Sequence, residues 1–200
     1  METTAEIRWF WRNEAAALLG RWFIDGDIHG CDAAGGDVRT DVYLKDANQS
    51  ELGVKRRGTG GGVEVKGLVA VLDNDCFVAP FNGPIELWGK WISGVLDIAS
   101  TPQVLVRKRR WLRTFDTSQA VVSEVTGAQP AQGCTVEYTE VSVEEQSPWV
   151  TLGFEAFGPM GSLADSLRGG AASLASRTLP PVGAGWRASY PVWLQAVGHP

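Results

Sequence analysis

The chain has 200 residues, with 18 Lys and Arg against 23 Asp and Glu and a formal net charge of −5. That balance argues against general nucleic-acid binding, which needs a basic exterior. A hydrophobic content of 44% and a charged content of 20% describe a globular domain with one substantial core, undivided as all-β barrels of this length commonly are.

Taken in order, the N-terminus METTAEIRWFWRNE is charged from the start and shows no signal-peptide pattern. Residues 5–12 alternate as a strand: Glu6, Arg8, Phe10 and Arg12 share one face, and Ile7, Trp9 and Trp11 the other. Asn13 is placed to cap a helix over Glu14–Phe23. Residues 25–37, rich in Gly and Asp, read as loop, and Val38–Lys45 as a second strand carrying Arg39, Asp41 and Tyr43 on one face. Residues 51–68, ELGVKRRGTGGGVEVKGL, form the most telling stretch. Two alternating runs flank a glycine-rich turn, the pattern of a β-hairpin. Lys55, Arg57 and Lys66 then converge on a single face of neighbouring strands. The GTGGG run lacks the Gly-Lys-Ser/Thr ending of a phosphate-binding P-loop, so it is read as a turn.

Leu68–Leu72 extends the fourth strand, and residues 73–84 are connection. Ile85–Ile92 is the fifth strand, with Glu86, Trp88 and Lys90 on one face. Gln103–Phe115 is the sixth; Lys108 and Arg110 line one face, Arg107, Arg109 and Arg113 the other, and alternation alone does not say which points inward. Residues 116–133 are polar and turn-rich, with a short strand possible within Ala120–Val125. Cys134–Val143 and Trp149–Phe157 complete the set, joined by a turn at 144–148. Residues 162–177 have helical spacing, with Leu163, Leu167, Ala171 and Leu174 in a stripe. After Leu179-Pro180-Pro181 the segment SYPVWLQAV is expected to be a short docked tail. The 162–200 region is expected to cover an outer wall rather than plug a barrel mouth.

Cys31, Cys76 and Cys134 are far apart, and His29 and His199 fall in loop and tail, so neither a disulfide framework, a zinc site nor a Ser-His-Asp triad is supported. No apolar run is long enough to cross a bilayer, and a cytoplasmic location is expected. The expected fold is α+β, mainly β: a closed eight-stranded antiparallel barrel with a few flanking helices, residues 1–160 forming the tunnel and 161–200 a C-terminal helix and tail of the same domain. Charge recurs on one face of most strands. Burying so many cations without partners costs several kcal/mol per ion. The interior must therefore be open to water or neutralised by an anion. A polyanion with a divalent cation suits both signs of charge.

The segments EIRWFWR at 6–12, DVYL at 41–44, LGVKRR at 52–57, VEVKG at 63–67 and VRKRR at 106–110, with glutamates on the last strands, resemble the CYTH domain of the triphosphate tunnel metalloenzymes. The resemblance spans residues 5–157. It implies a tunnel whose basic residues grip a triphosphate and whose glutamates bind Mg²⁺ or Mn²⁺. By that resemblance Arg12, Lys55, Arg57, Lys66, Lys108 and Arg110 hold phosphate, Glu6 and Glu155 hold metal, and Glu137 positions water or a second metal. The first strand departs from the family's Glu-x-Glu-x-Lys pattern at Arg8 and Phe10, with Arg12 standing in for the lysine one pleat on. The last strands lack a Glu-x-Glu pair, since Glu137 is followed at i+2 by Thr139. The implied activity is metal-dependent hydrolysis of inorganic, nucleoside or thiamine triphosphate. The alternatives are a non-catalytic tunnel that binds polyphosphate or nucleotide, favoured by Arg8 and Phe10, an adenylyl cyclase of the same family, and an unrelated ligand-binding barrel.

Overall fold

The computed structural model describes residues 2–24, 36–45, 50–58, 62–72, 79–144, 146 and 148–197. Cys31, Cys76, His29, His199, Glu145 and parts of the loops at 25–37 and 58–62 lie outside them. In chain order the elements are β1 (Glu2–Arg12), a 3₁₀ turn (Asn13–Ala15), α1 (Ala16–Ile24), β2 (Asp37–Leu44), β3 (Leu52–Arg57), β4 (Val63–Leu72) and β5 (Ile85–Ser93). There follow β6 (Gln103–Asp116), β7 (Ser123–Val125), β8 (Gly133–Val143), β9 (Trp149–Phe157), α2 (Leu163–Ala175), β10 (Trp186–Arg187) and α3 (Tyr190–Val197).

Eight strands run in the order β1-β5-β4-β3-β2-β6-β8-β9, and β9 pairs back onto β1, so the sheet closes into an antiparallel barrel without a free edge. β7 adds to β6 and β10 to β1 outside this ring. β1 is longer than its alternation predicts: Glu2–Glu6 pair with β5, while Trp9 and Phe10 pair with β10. The predicted hairpin is present, with Lys55 opposite Glu64 in register. Among the described residues no helix is long and apolar enough to cross a membrane.

The alternation of each strand decides what faces in. Ile7, Trp9 and Trp11 of β1 point outward into a core shared with Leu19 and Phe23 of α1 and with Leu163, Leu167, Ala171 and Leu174 of α2. Burying each of those leucines contributes about 1.5–3 kcal/mol. α2 lies close against β8: a Cβ on Gly170 would sit 2.7 Å from the Cys134 sulfur, so this position admits no side chain. Arg113, on the outward face of β6, is also buried; it donates to the Phe23 carbonyl at the end of α1 and pairs with Glu124 at 3.0 Å. That bond satisfies a terminal helix carbonyl, and the ion pair ties β7 to the wall.

The C-terminal region divides into two roles. α2 covers the outer wall as its stripe predicts. The tail is corrected: SYPVWLQAV is helical and enters one mouth of the barrel. Trp193 of α3 is fully buried, stacks on Phe10 with ring centroids 4.9 Å apart, and is ringed by Val104, Val106, Val141 and Val143. The apolar lining at this end explains the insertion. Phe10 and the β6 and β8 valines present a hydrophobic rim that only an apolar segment can cover without stranding polar groups. Among the described residues nothing comparable covers the opposite mouth, where Asp37 and Arg57 are half exposed.

Candidate functional site

Below the α3 plug the barrel encloses about 830 Å³ of space, including the part continuous with solvent. Eight basic and five acidic side chains line it. Glu6, Lys55, Arg57, Lys66, Lys108, Arg110, Glu137 and Glu155 are brought together here, drawn from β1, β3, β4, β6, β8 and β9. Arg12 is not. Its guanidinium lies 4.0 Å over the Trp149 ring, in a separate surface groove with Glu14, Leu18 and Trp186. The reason is the plug: Phe10 already marks the filled end, and one pleat further along β1 is outside it. Lys108 and Arg110 take the inward face of β6, which leaves Arg107 and Arg109 exposed on the outer wall.

The cavity charges are paired across strands. Glu137 accepts from Arg8 at 2.9 Å and from Arg110 at 3.0 Å, and Arg110 also reaches Asp37 at 2.6 Å. Glu64 binds Lys55 at 2.9 Å and Arg57 at 2.7 Å. Lys66 is hydrogen-bonded to Glu6 and lies 3.8 Å from Glu155. Asp41, buried in the wall, pairs with Lys108 and Arg39, each at 3.1 Å. The cations of the lumen are thus neutralised largely from within, a third solution to their burial besides water and a bound anion.

These contacts set the protonation states. Burial works against ionisation of Glu137, but Arg8, Arg110 and Lys108 outweigh it and hold the carboxyl well below the usual carboxylate range. Burial likewise opposes charge on Glu64 and Asp41, and their lysine and arginine neighbours again prevail and lower both. Glu6 behaves oppositely: burial, reinforced by the Glu155 charge, raises it despite Lys66. Lys108 is driven well below the ordinary lysine value by burial and by the Lys55 charge. Its ammonium donates to the Tyr43 hydroxyl at 2.8 Å and sits 3.8 Å over the Tyr190 ring. Burial pushes Tyr190 up to about 12.

Several functional candidates were not singled out from sequence. Arg8 is the chief one, treated as a departure and found at the centre of the charge cluster. Glu86 stands beside Glu6 in register, yet its carboxylate accepts from the Trp88 indole at 3.0 Å and faces Arg187. Lys90, Glu64 and Arg39 also line the cavity. Alternation had placed each on the correct face; only the barrel closure shows that these faces meet. Tyr190 carried no signal, since nothing in the tail's composition distinguishes a plug from a segment docked on the outer wall.

A resident divalent cation needs carboxylate oxygens free to converge on one point. Glu6 and Glu155 are direct cross-strand partners, as a two-carboxylate site requires. The Lys66 ammonium, however, occupies the space between them, and Glu137 is held by two guanidiniums. Among the described residues no three carboxylate, histidine or cysteine groups gather to hold a metal. The donor set does not fit bound Mg²⁺ or Mn²⁺ in this arrangement.

The ring of eight antiparallel strands closes as the resemblance implied, and α3 fills one end of its charge-lined lumen. No protein-family model matches the chain, and no curated protein matches its sequence. Solved structures similar to it include the following two. The S. pombe Pct1 RNA triphosphatase is 12% identical with a TM-score of 0.45, over 88% of this chain and 77% of that one. The PH1819 protein from Pyrococcus horikoshii OT3 is 13% identical with a TM-score of 0.42, over 96% of this chain and 99% of that one.

Proposed function

We propose that the barrel binds the phosphate chain of a triphosphate-containing small molecule, admitted through the mouth opposite α3. The observation that carries this is the convergence of eight basic side chains on one cavity, each held by a carboxylate that a phosphate oxygen can replace. Arg57 at the mouth and Lys55, Lys66 and Arg110 deeper in supply donors along the length of a linear anion. Arg is suited to bidentate contact with phosphate, and Lys to a point contact. Lys108 is less suited, because burial favours its neutral form.

A second reading, hydrolysis of the bound chain, is favoured by one observation: Glu6 and Glu155 face each other across β1 and β9. Turnover through a metal at this pair requires Lys66 to leave it. Isothermal titration with tripolyphosphate, ATP and thiamine triphosphate, set beside phosphate release with and without Mg²⁺ or Mn²⁺, separates the two. Saturable binding lost in Lys55→Ala and Arg110→Ala, without turnover, supports the binding tunnel. Phosphate release that depends on metal replaces it with the hydrolase. Unaltered binding in both variants refutes the placement in the lumen.

A further inference from the structure

We propose that this tunnel grips its phosphate chain without a divalent cation, with the Arg8 guanidinium and the Lys66 ammonium supplying the positive charge at the Glu6, Glu137 and Glu155 cluster. The inference rests on the phosphate-chain reading above and deepens it.

Arg8 shares the inward face of β1 with Glu6. Its Nη1 donates to Thr151 at 2.5 Å and lies 2.9 Å from Glu137, and the guanidinium carbon is 4.7 Å from the centre of the Tyr190 ring. Three elements, β8, β9 and α3, therefore hold it in place. The adjoining strand is shaped to receive it. Arg8 lies opposite Gly153 in register, and a Cβ at that position would run into the guanidinium. Gly153 stands two residues before Glu155, so the position on β9 that could have carried a second carboxylate is given over to space for Arg8.

Arg8 and Arg110 flank Glu137 from β1 and β6, each donating to a different carboxylate oxygen. This is the geometry in which a phosphate group, with its oxygens spread around one centre, exchanges for a carboxylate between two guanidiniums. Lys66 performs the corresponding task at Glu6 and Glu155. A divalent cation entering there would meet two fixed positive groups before it met a free carboxylate. The positive charge needed by a polyanion is thus built into the chain, and binding is an exchange of internal counter-ions for ligand oxygens.

The test is titration of the full-length protein with tripolyphosphate in excess chelator, then with Mg²⁺ in place of chelator. The expected result is saturable binding in chelator, with Mg²⁺ giving no gain in affinity. Arg8→Glu, which adds a carboxylate beside Glu6, is expected to lose metal-free affinity by about tenfold or more and to regain part of it when Mg²⁺ is added. If Arg8→Glu does not fold, Arg8→Gln is expected to lose metal-free affinity with no recovery in Mg²⁺. Wild-type binding that occurs only with Mg²⁺ or Mn²⁺ overturns the metal-free inference and leaves the phosphate-chain reading intact. Absence of binding in both conditions overturns both.

Discussion

Replacing Glu137 with glutamine tests whether the carboxylates of the lumen are internal counter-ions. Glu137, Arg8 and Arg110 each retain only about 15% of their side-chain exposure, with side-chain values of 14%, 14% and 15%. At about 4 Å and an effective dielectric near 20, each pair attracts by roughly 4 kcal/mol, and desolvation opposes most of that gain. Removing one partner of a buried pair is another matter. It leaves two guanidiniums facing each other with no carboxylate between them, a loss of about 3 kcal/mol or more. For a domain of this size that corresponds to a fall in Tm of about 10 °C. The same change should raise affinity for tripolyphosphate in chelator, because the anion no longer displaces a carboxylate to reach Arg8 and Arg110. Differential scanning fluorimetry with and without tripolyphosphate, and titration calorimetry on both proteins, read these two effects. A Tm within about 1 °C of wild type, or weaker tripolyphosphate binding, refutes the counter-ion reasoning. A water-positioning role alone predicts neither effect.

Other outcomes follow from the same contacts. Gly153→Ala forces the Arg8 guanidinium aside and should weaken tripolyphosphate binding by about tenfold, measured by calorimetry; unchanged affinity would show that Arg8 has room to spare. Trp193→Ala empties the plug and should cost about 3–5 kcal/mol in denaturant unfolding, far more than an exposed tryptophan would. Glu137, Glu64 and Asp41 have folded pKa values below their unfolded ones. The stability they contribute is complete above the unfolded values, near pH 4, and is lost as pH falls below that range. Glu6, shifted upward, acts in the opposite sense and recovers part of it on taking a proton. Tm measured against pH should therefore drop in acid, and Glu137→Gln should flatten the drop; an equally steep profile counts against the assignment. Arg12→Ala, outside the lumen, should change tripolyphosphate affinity by less than about twofold, and a large loss would return Arg12 to the phosphate site.

The barrel was legible in sequence because its strands alternate so regularly that faces can be assigned without coordinates. β9 spans Trp149–Phe157 as its pattern predicts, and Lys55, Lys66 and Glu155 occupy the side their parity implies. Two things were not legible. One is the partner of each charge. Arg8 reads as an anomaly in the first strand until the register of β1 against β9 sets it over Gly153, beside Glu137. Closure of the ring creates that contact, and no local pattern encodes it. The other is the plug. Phe10 and the valines of β6 and β8 look like wall residues, and the last segment looks like a short tail docked anywhere. Only the meeting of Phe10 with Trp193 inside the mouth explains why Phe10 stands on the otherwise charged face, and why Arg12 falls beyond reach.

The α3 plug also bears on how any guest must travel. With one end filled by Trp193 and Tyr190, a linear anion cannot thread through; it can only be inserted by a terminus and withdrawn the way it came. For a ligand of the class proposed, the tunnel would count ends rather than links. A long unbranched polyphosphate would then carry at most one protein at each terminus, whatever its length, and capping both termini would abolish recognition while leaving almost all of its charge in place.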